Sequence, residues 1–396
     1  MDSKSVSSRL RELVKFLSTV QGDLSNVSGP PSLLAPSSVV EVGHCWAQRP
    51  AHFAAIALEP SAEKRSLLVL QWFLIALRSQ LYVAGGPKVS IKKPLNAFLG
   101  ELFLASWTDP TTHATTKLVA EQVSHHPPIT AMHLSDEAHG IRAEGYARVE
   151  MTFNGTVNIR QVGHALMHID AYDEDHLVPL PDVKVRGFLS GCVYPEILGT
   201  YTITSSAGYT TEIKFSGEGI IRGKRNTFEA KIFRKDDPAK RSIYEAAGVW
   251  SDAWTVKDAR TGEVLQNYVV DADENTPAPI TITSVDEQDP WESRRAWGGV
   301  LNGMQAGDMR QVLAEKTKVE QAQRQMRAFE ASRGHAWEPL LFRSIAAEEH
   351  GVFHELAEGT GLALHHEKTK GVWKLDDRRV KGLQRPFREG LTPLGY

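Results

Sequence analysis

Residues 121–128 read Glu121-Gln122-Val123-Ser124-His125-His126-Pro127-Pro128, and the rest of the chain is best read outward from this octapeptide. Pro127 and Pro128 carry no N–H and disfavour helix in the residue before them, which places His126 in extended backbone at a strand end. Neighbouring side chains on such backbone point in divergent directions. A histidine pair at an exposed turn is either a satisfied surface feature or a binding one. Joined by an arginine or lysine from elsewhere it can grip a phosphate, because both ring nitrogens donate once the imidazole is protonated.

Four other stretches bear on the choice. They are Lys92-Lys93-Pro94-Leu95-Asn96-Ala97-Phe98-Leu99-Gly100-Glu101-Leu102, Pro290-Trp291-Glu292-Ser293-Arg294-Arg295-Ala296-Trp297, the turn Gly223-Lys224-Arg225-Asn226, and a charged run from Lys316 to Arg324. In the last, Lys316, Glu320 and Arg324 recur at i, i+4 and i+8 and share a helix face. That pattern suits an exposed salt-bridged stripe as well as a site.

Together these five stretches resemble the oxysterol-binding protein family of lipid carriers, and the resemblance extends over most of the chain. It implies a mainly β fold with α elements: a large antiparallel β-barrel enclosing an apolar tunnel, an N-terminal helical lid and helical layer, and a C-terminal helical subdomain. The implied ligand is phosphatidylinositol 4-phosphate. His125, His126 and Arg324 would hold the 4-phosphate, with Lys93, Pro94, Leu95, Asn96 and Lys316 around the rest of the headgroup. Glu320 would accept from inositol hydroxyls or hold the lysine and arginine in place. Leu24, Ser25, Asn26, Val27, Ser28 and Gly29 would close over the acyl glycerol, and Gln80 and Gln161 match polar tunnel positions.

The resemblance also implies transport: the phosphoinositide is extracted and exchanged between membranes for a second lipid. In much of the family that lipid is a sterol. Here Leu81 stands where sterol-binding relatives have Tyr, Ala147 where they have Asn and Ala84 where they have Arg, so a glycerophospholipid such as phosphatidylserine or phosphatidylcholine is the alternative cargo. Ala97 replaces the family's proline. A phosphoinositide-dependent sensor or scaffold is the competing function, since one site can report a lipid as well as move it. No Gly-x-Ser-x-Gly elbow supports a hydrolase, and neither enzyme activity, cofactor nor metal is expected.

Composition frames these expectations. With 396 residues, 41% hydrophobic and 23% charged, the chain is an ordinary soluble composition able to form one large core, and its net charge of −3 argues against nucleic acid as a partner. Cys45 and Cys192 are too few for a disulfide scaffold and lack zinc spacing, which fits a reducing cytosol. The polar start at Met1–Lys4 suggests neither secretion nor import. The run Leu67 to Leu77, broken by Gln71, is too short to span a bilayer and reads as a buried helix. The chain is expected to be a cytoplasmic monomer meeting organelle membranes, endoplasmic reticulum and Golgi among them, only transiently, as short members of the family do.

Four segments of one continuous lipid-binding domain follow. In 1–29, Val6, Leu10, Leu13, Val14, Leu17 and Val20 keep a helical period, either docked permanently or acting as a mobile lid on a Gly22–Pro31 hinge. Segment 30–97 is a helical layer, with helices over 39–47 and 64–82. Segment 98–297 carries the strands, among them 141–153, 156–161, 199–205 and 211–215, and 298–396 holds a helix over 308–333 and an irregular tail.

Overall fold

The computed structural model describes residues 23–25, 31–83, 86–87, 91–188, 192–217, 224–334 and 337–395. The expected helix at 6–20 and the hinge residues Asn26, Val27, Ser28 and Gly29 lie outside them.

An antiparallel sheet organises the molecule, fifteen-stranded among the described residues. Its main path runs from the Val264–Val269 strand through successive neighbours to Leu102–Thr108 and finally Ile280–Thr281, with Val183–Arg186 and Tyr194–Ile197 branching from one side. The central hairpin pairs Ile141–Phe153 with Val157–Ile169 over the full length of both strands. The first matches its expected bounds. The second runs eight residues past Gln161, because Val162, His164, Leu166 and Ile169 go on turning toward buried surroundings.

Barrel closure was expected, yet among the described residues no hydrogen bonds join the two ends of the sheet. The helical layer covers the gap instead. Gln71 donates from Nε2 to Gln266 Oε1 on one edge strand. On the other side, Arg49 Nη2 donates to the Asn275 carbonyl at 2.9 Å, and the Ala278 N–H to that of Gln48 at 2.9 Å.

That layer contains the helix Ala62–Leu81, whose Leu67, Leu70, Phe73, Leu74 and Leu77 are buried among inward-facing sheet residues, as its apolar run foretold. Pro50–Leu58 forms a second helix that the pattern of apolar residues did not single out; Pro50 sits in its first turn, where a missing N–H costs no helical bond. Val39–Gly43 is a 3-10 turn leading into the short helix His44–Ala47.

At the C-terminal end, Met309–Ser332 is helical and is capped by Asp308, whose Oδ1 accepts from the N–H groups of Arg310 and Gln311. The segment beyond is not the irregular tail expected. Phe342–Ile345 pairs with Val372–Leu375, and the last residues dock on the Trp291 motif. Trp291 Nε1 donates to the Leu391 carbonyl at 2.7 Å, the Phe387 N–H to Asp289 Oδ2 at 2.8 Å, and Arg385 Nε to Glu292 Oε1 at 2.9 Å. Such short elements, held by single buried acceptors, carry no periodic apolar signal.

Candidate functional site: an apolar cavity with a cationic mouth

Between the helical layer and the inner face of the sheet lies a cavity of about 390 Å³. Its walls are mostly apolar, with Trp46, Leu81, Ala147, Val149 and Met151 among them. Gln80 and Gln161 both line it, as expected. Gln161 is already engaged, its Nε2 donating to the Pro181 carbonyl at 2.6 Å, whereas Gln80 Oε1 is buried without a hydrogen-bond partner. Leu24 closes one side: its N–H donates to the Met151 carbonyl at 2.8 Å, and Asp23 Oδ1 accepts from the N–H groups of Ser25 and Met151, both at 2.9 Å. Leu24 and Ser25 are therefore tied to the sheet at the cavity wall.

Cations gather at the mouth. The strand Lys93–Leu95 runs parallel to Leu34–Ser38, which sends Leu95 fully into the core and leaves Lys93 and Pro94 on the cavity. Leu95 thus positions the strand. Lys93 Nζ donates to Asn96 Oδ1 at 2.7 Å. Burial, and after it the nearby Lys316 charge, lowers the Lys93 pKa to about 8 against the pull of Glu320. Lys316, itself buried, is ion-paired to Glu320 on the expected helix face.

His125 ends the strand Thr115–His125, and His126 opens the turn across a cis bond to Pro127. The two rings do not diverge: their centroids lie 4.7 Å apart, edge to face, because strand alternation stops at His125. His125 Nδ1 meets the Ala97 carbonyl at 3.0 Å and must be the protonated nitrogen there, leaving Nε2 as the ring's other face. Burial, then the neighbouring His126 and Arg327 charges, push its pKa down to about 4, so without a ligand it is neutral at pH 7. A phosphate beside Nε2 would draw a proton onto the ring.

Arg324 is not brought in. It is exposed and makes no hydrogen bond or ion pair among the described residues.

The signature stretches meet behind this mouth. Glu101, fully buried, accepts from the Phe98 N–H, Ser293 Oγ and Trp297 Nε1 at 3.0, 2.7 and 3.0 Å. The N–H of Leu102 donates to the Trp291 carbonyl and that of Gly100 to the Gln122 carbonyl, so all three motifs brace one another. Asn226, in left-handed backbone at φ 60°, donates to Tyr82 Oη and Ser251 Oγ, which makes this residue of the fourth motif a structural corner; Gly223 lies outside the described residues. Unforeseen polar groups also line the cavity: Thr130, donating to Gln122 Oε1 at 2.6 Å, and His164, 2.8 Å from His350 through their Nε2 atoms. His350 belongs to the C-terminal segment, and no spacing in the sequence linked it to His164.

Among the described residues no cluster of three or more His, Cys, Asp or Glu side chains is arranged to hold a metal, and no helix is long and apolar enough to cross a membrane. Cys45 and Cys192 are both free thiols.

A sheet wrapped round an apolar cavity with cations at its mouth defines a lipid-binding protein. The chain belongs to the oxysterol-binding protein family, whose model matches residues 12–299. It is 45% identical over 385 residues to the probable transporter efuK of Hormonema carpetanum, covering 96% of this chain and 54% of that one, so it spans about half the relative's length. Its fold is similar to two solved structures, each at a TM-score of 0.70. The first is the Osh1 ORD domain in complex with cholesterol, 19% identical, covering 96% of this chain and 89% of the other. The second is the Osh3 ORD in complex with PI(4)P from Saccharomyces cerevisiae, 18% identical, covering 99% and 96%.

Proposed function

We propose that this chain is a non-vesicular lipid carrier that extracts phosphatidylinositol 4-phosphate and exchanges it between membranes for a second lipid. The carrying observation is the junction at Lys93 and Asn96, which border the apolar cavity while Lys93 feels the charges of Lys316 and Glu320. Acyl chains leaving a bilayer need a dry compartment, at about 0.8 kcal/mol per methylene, and an anionic headgroup needs cations at its mouth. The two neighbours solved with cholesterol and with PI(4)P support lipid cargo of both kinds for this fold.

For the second lipid the lining favours a glycerophospholipid over a sterol. Leu81 and Ala147 add no polar partner to the wall, the Gln161 Nε2 donor is committed to Pro181, and Gln80 keeps a buried acceptor unused there. A lone sterol hydroxyl would lose about 1 kcal/mol for each missing hydrogen bond unless water bridges it. The carrier works as a monomer in the cytoplasm and touches organelle membranes, endoplasmic reticulum and Golgi included, only transiently.

The test is transfer between two vesicle populations. Wild type should move phosphatidylinositol 4-phosphate, and H125A/H126A should not. Undiminished extraction by the double variant refutes the headgroup assignment, and tight binding without transfer establishes a sensor. Competition between labelled sterol and phosphatidylcholine then identifies the exchange cargo.

A further inference from the structure

The helix Met309–Ser332 turns about 100° per residue, which puts Arg324 about 80° round from Lys316 but Arg327 only about 20° from it. Burial follows this geometry: Val312, Lys316 and Val319 are buried and Arg327 is half-buried, whereas Arg324 faces outward. Arg327 is also the arginine whose charge reaches His125.

Its surroundings hold it in place. The Arg327 guanidinium stacks 4.6 Å from the Trp337 ring centroid, and that of Arg388 stacks 3.9 Å from the same ring. Trp337 in turn packs over Gly100 of the second signature stretch. Gly100 has φ +81°, and a Cβ added there would lie 2.2 Å from Trp337 Cζ2. The stretch that delivers Lys93 and Asn96 thus also makes room for the indole that carries Arg327.

One side of Arg327 is satisfied, with Nη2 donating to Glu330 Oε1 at 3.0 Å. Its Nε and Nη1 are buried and have no hydrogen-bond partner. Nε–H and Nη1–H leave the guanidinium along different edges, so each can take one anionic oxygen, and leaving a buried donor unmade is costly.

We infer that Arg327 is a further phosphate-contacting cation of the headgroup site, seated by Trp337 and offering its unmade Nε–H to the anion. This rests on the phosphoinositide reading above. Glu320 and Lys316 then act about two and three turns earlier on the same face, and Trp337 and Arg388 are positioning residues.

The full chain is titrated with water-soluble short-chain phosphatidylinositol 4-phosphate. R327Q should weaken binding about tenfold or more, and R327K should restore part of it as a charge without the planar fork. In the wild type, the Arg327 Nε–H resonance, identified by its loss in R327K, should shift as the ligand saturates. This readout does not depend on whether R327Q folds, and a merely structural arginine would not produce it. Wild-type affinity in folded R327Q, or an unmoved resonance at saturation, overturns the inference. If H125A/H126A abolishes binding in the same assay, only the role of Arg327 falls; if that variant also binds normally, the phosphoinositide reading falls with it.

Discussion

Glu101 accepts the indole N–H of Trp297 at 3.0 Å across 196 residues of chain, in a place with no access to solvent. Burial raises its pKa to about 7 even though Ser38, Ser293, Trp297 and the Phe98 N–H all favour the carboxylate. The folded state therefore holds a proton that the unfolded chain releases near its ordinary pKa of 4.5. Stability from this group is complete below about pH 4.5 and is lost as pH rises through 7. E101Q should remove that part of the pH dependence. It should also cost about 1–3 kcal/mol, because an amide nitrogen would face donors. Urea melts of both proteins between pH 4.5 and 8 measure both effects.

Headgroup binding should weaken as pH rises. Lys93, with its pKa at about 8, loses charge above that value, and His125, at about 4, becomes charged at neutral pH only if the phosphate raises it. Both groups attract an anion when protonated, so affinity for phosphatidylinositol 4-phosphate falls from pH 6 to 9.5. K93R should flatten the upper half of that profile, since arginine keeps its charge throughout. A K93R profile matching wild type above pH 8 would mean that another group governs it.

Leu24 is buried at the cavity wall and its backbone is tied to Met151. L24D puts an unpaired carboxylate against the acyl chains and should release lipid during gel filtration while the melting temperature moves by at most about 2–4 °C. Native mass spectrometry of the eluted protein reads the retained lipid. Full occupancy in L24D would remove Leu24 from the closure.

Arg65 and Glu174 form an ion pair with both side chains almost fully buried, and Ser205 Oγ donates to the same carboxylate at 3.1 Å. R65A should lower stability by about 3 kcal/mol by leaving the buried Glu174 with only Ser205 and His176, 2.8 Å away, as partners, whereas R65M/E174M should recover part of it. Denaturant midpoints of the three proteins decide this, and equal losses in both variants would contradict the stranded-charge explanation.

What could be read beforehand followed from physical repetition. The Leu67–Leu77 run is a buried helix because nearly every side of it is covered, and Ile141–Phe153 is legible through strand residues bounded by turns. Lys316 and Glu320 meet because i and i+4 lie on one face. The same rule carried to i+8 drifts off that face, and Arg324, which the resemblance puts at the 4-phosphate, faces outward in the structure. Leu95 was grouped with the ligands because a motif does not reveal which of its residues faces the core. The docking of residues 385–391 was illegible, because it depends on single acceptors such as Asp289 and Glu292 that lie about a hundred positions earlier.

That docking has a temporal side. On a ribosome the Glu121–Pro128 stretch and the Trp291 motif emerge long before Leu391, whose carbonyl receives the Trp291 indole, and before Arg388, which stacks on Trp337. All strands of the large sheet, ending with Ile280–Thr281, precede those residues in the chain. The sheet can therefore assemble on a nascent chain while the mouth still lacks its rear support. Emergence of residues 385–391 is then the event that completes the packing behind the Trp291 motif.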